Sequence, residues 1–126
     1  MKRCVFGAAL LIVLLAAGLL LGRGVNALLQ PEAEELCAAR DASAAGDWDA
    51  ARACALRARQ SWEENWHLLA ALTDHELMEQ ADVLFAQLVV FGNPDDRQSF
   101  AALCAALQQQ LKALEDTHKP SWWNIL

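Results

Sequence analysis

Three polar side chains are spaced so that one helix face could present them together. His75, Glu79 and Asp82 stand at i, i+4 and i+7, a spacing that could offer a nitrogen and two carboxylates to a divalent ion. The stretch His75-Glu76-Leu77-Met78-Glu79 begins like the zinc-peptidase helix motif, but Glu79 occupies the place of its second histidine. The face also lies about half a turn from a leucine stripe, where a solvated surface belongs. It is read as a plain polar face, with a divalent-ion or small-ligand sensor as the alternative. His67 and His118 have no readable partner. No nucleophile–base pair can be assembled from the sequence, so no catalytic residue is assigned and no enzyme or cofactor is expected.

The four cysteines stand at 4, 37, 54 and 104, without C-x-x-C or Cys/His zinc spacing. No lipobox-like cysteine follows the N-terminal apolar run. Cys37 and Cys54 are placed symmetrically about the Ala45–Gly46 turn, so an antiparallel hairpin brings them to matching heights. Outside the cytoplasm that pair could form a disulfide worth about 3 kcal/mol in the chain-entropy model; otherwise they are two buried thiols.

The elements behind these residues are all helical. Lys2 and Arg3 precede an apolar run from Cys4 to Gly22 that ends at Arg23. Its length falls between a secretory core and a membrane-spanning helix, nearer the latter. Residues 1–27 are therefore an anchor or a signal sequence, with a possible cut after Ala27, and residues 28–126 an extracytoplasmic helical domain. The expected topology is a single pass with the N-terminus cytoplasmic, or secretion if the chain is cut. Beyond Ala27 the chain has sixteen acidic and seven basic residues, which argues against nucleic acid as a partner.

Gly22 and Gly24 suggest a break after the membrane helix, and Pro31 the first residue of a new one, with Glu32, Glu34 and Glu35 at its positive end. Gly46 ends that helix and Asp47 caps the next, whose apolar positions are Trp48, Ala51, Ala55, Ala58, Trp62, Trp66 and Leu69. Thr73 and Glu76 have the form of a capping box for a third helix carrying Leu77, Ala81, Leu84, Leu88 and Phe91. Gly92-Asn93-Pro94 separates it from a fourth with Phe100, Leu103, Leu107, Leu111 and Leu114. The class is all-α: an N-terminal signal-anchor helix and a small antiparallel bundle of about four helices. Gly46-Asp47-Trp48-Asp49-Ala50-Ala51 is like the middle of a tetratricopeptide repeat, but no second copy follows, so it is one close-packed hairpin.

Five tryptophans in so short a chain need places. Trp48 belongs to the turn. Trp62 and Trp66 are read as core, or as a contact with lipid or a neighbouring membrane protein. The apolar terminus with Trp122, Trp123, Ile125 and Leu126 must dock on this chain or on another.

The short anchor, Gly46-Asp47-Trp48, Trp62 and Trp66, Asp74-His75-Glu76-Leu77 with Asp82, a leucine-patterned helix and the terminal Asn124-Ile125-Leu126 come in an order that resembles DUF4363. That family comprises small, uncharacterised, membrane-anchored bacterial proteins of the Firmicutes type. The resemblance implies a helical protein outside the membrane, associated with small multi-pass membrane proteins, and supplies no catalytic residues. The expected role is an interaction module or accessory subunit whose partners are the membrane and another membrane protein or a second copy.

Overall fold

The computed structural model describes residues 1–91 and 95–117. Four helices run in order, α1 Lys2–Ala44, α2 Trp48–Leu72, α3 His75–Val90 and α4 Arg97–Asp116, with no strand among the described residues. Helix α1 packs on α2 and α4, and α3 packs on the same two helices from the opposite side. The backbones of the diagonal pairs α1–α3 and α2–α4 make no close approach, so the four helices form a ring in up-down-up-down order.

The expected break between a membrane helix and a first soluble helix is absent. Helix α1 is continuous for 43 residues through Gly22, Gly24 and Pro31. An interior proline removes one backbone bond and costs about 3 kcal/mol. Packing on both sides of Pro31 offsets that cost, because Val25, Leu29, Glu32, Leu36, Ala39 and Ser43 are all buried. Their alternating spacing of four and three is the seam of a coiled-coil-like bundle. Glu32, Glu34 and Glu35 therefore sit in mid-helix and not at a positive dipole end.

The turn into α2 is set by Gly46, at φ +83°. Its N–H donates to the Ser43 carbonyl and the Asp47 N–H to the Ala42 carbonyl, at 3.1 and 2.9 Å. This paired closure requires the left-handed conformation that glycine adopts at least cost. The Asp47 carboxylate then accepts from the Ala50 N–H at 3.2 Å, capping α2. Gly46→Ala is expected to cost about 1–2 kcal/mol from its left-handed backbone alone, read as a lower urea midpoint at unchanged slope.

At the α2–α3 junction the cap falls one residue later than the sequence suggests. Thr73 closes α2, its Oγ1 donating to the Leu69 carbonyl, while the Asp74 carboxylate accepts from the Glu76 N–H. Helix α3 is also rotated from its expected face. Met78, Ala81, Phe85 and Leu88 are its buried residues, with Leu77, Leu84 and Phe91 at the margin. The rotation brings Phe85 under Trp62, ring centroids 5.2 Å apart. In α4 the buried row is Phe100, Cys104, Leu107, Leu111 and Leu114, Cys104 taking the place expected for Leu103.

Candidate functional site

The acidic face of α3 does not converge on a common point. His75 Nε2 lies 3.3 Å from Glu79 Oε1, both side chains well exposed. Asp82 is engaged elsewhere: its Oδ1 accepts from the Trp62 indole N–H at 3.3 Å. Among the described residues no group of three His, Cys, Asp or Glu is arranged to hold a metal ion.

Trp62 is fully buried, stacked on Phe85 and tethered to Asp82 by its one polar atom. That places it in the core and removes it as a contact surface. Trp66 is half-buried, with its ring edge-to-face to His67 and His75. Trp48 packs on Phe100 at 5.0 Å, joining the first turns of α2 and α4. Trp122, Trp123, Ile125 and Leu126 lie outside the described residues, as does His118.

The cysteines are thiols in this structure. Cys54 Sγ accepts from Arg57 at 3.1 Å, and the same guanidinium meets Glu35 Oε1 on α1 at 3.1 Å. Cys37 Sγ accepts from Arg40, which reaches across to Gln108 on α4. Cys37 thus turns towards the α4 flank, about 160° around the helix from Glu35, which marks the α2 flank. Matching heights alone did not fix that azimuth. Burial pushes the Cys104 thiol up to about 11, against a smaller opposing pull from Arg40. At neutral pH it is protonated and unsuited to act as a nucleophile. Arg57, itself exposed, thereby ties α1 to α2.

Two features were not read from the sequence. One is Glu32, a carboxyl with no exposed surface inside the α1–α2 seam. The other is an open apolar groove of about 920 Å³ between α3 and α4, lined by Val83, Ala86, Val90, Phe91, Leu103 and Ala106 among others. Val90 is 81 % exposed at its edge. The sequence signal for Glu32 was the 4-3 spacing that begins at Val25. The groove has none, because its lining falls between two adjacent helices.

The family model DUF4363, a domain of unknown function, matches residues 24–125. The chain belongs to that family. No match was found among curated proteins or among solved structures. The DUF4363 match begins one residue before Val25, the first residue of α1 buried in the bundle. The family unit and the packed unit therefore start at the same place, and the residues before it form the projecting part of α1. Within the DUF4363 unit, Gly46-Asp47-Trp48 makes the α1–α2 turn, and Asp82 holds the buried Trp62. These two of the motifs that carried the resemblance are thus parts of the packing. The family brings no assigned activity to this chain.

Proposed function

We propose that this DUF4363 protein is a membrane-anchored, extracytoplasmic interaction module, an accessory subunit of another membrane protein. The observation that carries the reading is the first half of α1. It is long and apolar enough to cross a membrane, and none of its most apolar stretch is buried in the bundle. Leu10, Ile12, Leu14 and Leu20 stand exposed on several sides, an unfavourable surface in water and an ordinary one in lipid. Residues 2–24 span about 35 Å as a helix, against a hydrocarbon core of about 30 Å. Lys2 and Arg3 favour a cytoplasmic N-terminus.

Retention of the anchor is favoured by Val25. A cut after Ala27 would remove this fully buried side chain from the core. The uncovered α3–α4 groove suits a module that meets a partner, since soluble monomers seldom leave large apolar patches open.

The test is co-purification of the tagged full chain from cross-linked native membranes, with partners identified by mass spectrometry. A stoichiometric membrane protein is the expected result, and deleting residues 121–126 should reduce its recovery while the bundle still melts cooperatively. Recovery of the chain alone or with itself would remove the accessory-subunit reading.

A further inference from the structure

Helix α1 carries one ionisable group on its buried face, and among the described residues that group has no counter-ion. Glu32 lies between Leu29 and Leu36 with no exposed surface. Its Oε1 accepts from the Ser61 hydroxyl at 2.9 Å and from the Asn65 amide at 3.4 Å, both on α2. Its Oε2 has no hydrogen-bond partner among the described residues. Two donors on one oxygen and none on the other favour the neutral acid, because an unpaired buried hydroxyl costs less than an unpaired buried charge. An ionised carboxylate would leave a charged oxygen buried and unsatisfied.

We propose that Glu32 is a proton-operated latch between the anchor-bearing helix and the rest of the bundle. In its neutral form it closes the α1–α2 seam. On ionisation the seam loosens, and the proton leaves to solvent as water reaches the carboxylate. The proposal concerns the α1–α2 contact itself and goes beyond the accessory-subunit reading, which can fail without it.

The charged groups on the neighbouring elements do not oppose this. On α1, Glu35 is bound to Arg57, and Glu34 is exposed and accepts from Gln30. On α2, Arg59 is bound to Glu63, and Glu64 accepts from Gln60. On α4, Lys112 and Asp116 are exposed and Glu115 is half-buried. Helix α3 lies diagonally across the bundle from α1, with no close backbone approach. Burial lifts the Glu32 carboxyl above its ordinary 4.5, outweighing the lowering by hydrogen bonds from its own backbone, Ser61 and Asn65.

The sign of the effect follows. The folded state holds this proton more tightly than the unfolded chain, so its contribution is fully present below pH 4.5. It is lost as the pH rises through the folded-state value.

The test is hydrogen exchange on the full chain in nanodiscs across a pH series, corrected for intrinsic exchange, beside Glu32→Gln. Wild-type amides along the α1–α2 seam should open more as the pH rises above the ordinary carboxylate range. The expected increase is roughly tenfold, the scale set by one unsatisfied buried polar group. Glu32→Gln should stay flat, with α3–α4 amides unchanged in both proteins. Parallel profiles for wild type and variant would overturn the latch. Should Glu32→Gln fail to fold, carbon-13 titration of the wild-type Glu32 carboxyl decides. A midpoint above 4.5 upholds the proposal, and a midpoint at or below it overturns it.

Discussion

Trp62→Ala is expected to destabilise the protein by about 3–5 kcal/mol, the range for deleting a buried large aromatic. The side chain has no exposed surface, stacks on Phe85, and ends in a hydrogen bond to Asp82. Its removal leaves a cavity where α2 meets α3. Small domains have only about 5–15 kcal/mol to lose, so urea denaturation should show the midpoint falling by a large fraction. Trp62→Phe separates the parts: it keeps most of the ring volume and loses the indole N–H, at a cost nearer about 1 kcal/mol. Trp66→Ala should cost less than Trp62→Ala, because Trp66 is only half-buried. Equal effects at the two positions would mean that Trp62 is not the centre of the α2–α3 contact.

The tryptophan pair shows what was legible in the sequence. Helical spacing put Trp48, Trp62 and Trp66 near one face of α2, and Gly46 and Asp47 marked the preceding turn. Periodicity gives a face to within about one residue, since neighbouring positions differ by about 100°. That margin explains why α3 was centred on Leu77 and Leu84 when the packed row contains Met78 and Phe85. Hydrophobicity alone cannot choose between leucine at 77 and methionine at 78. The size of the Trp62 ring on the facing helix does.

The same margin explains the polar residues. Asp82 looked like the third member of an acidic face because its spacing from His75 and Glu79 is right. It is taken by an indole on another helix, a contact between residues twenty positions apart. Glu32 looked like a charge at a helix start because proline preceded it. Local rules for Pro31 favour a start, and the bundle seam overrode them by burying residues on both sides. Once α1 is continuous, Glu32 falls on the buried row, where burial raises the pKa of its carboxyl.

That continuity has its own large expected effect. Removing residues 2–23 should transfer the protein entirely from the membrane pellet to the soluble fraction while leaving the bundle folded. Every residue lost lies before Val25, and none of them is buried. The melting temperature should therefore stay within about 4 °C of the full chain, the shift caused by less than roughly 1 kcal/mol in a domain of this size. A second truncation, starting at Leu28, mimics a cut after Ala27. It deletes Val25, whose burial stabilises by about 1.5–3 kcal/mol, and starts α1 only one residue before Leu29. This shorter chain should melt several degrees lower than the one starting at Gly24. Equal melting of the two would show that Val25 adds little to the seam, and a mature protein cut after Ala27 would then keep its full stability. Loss of fold in both would mean that the apolar N-terminal half of α1 holds the helix straight through Pro31, so that this segment and the bundle form one cooperative unit.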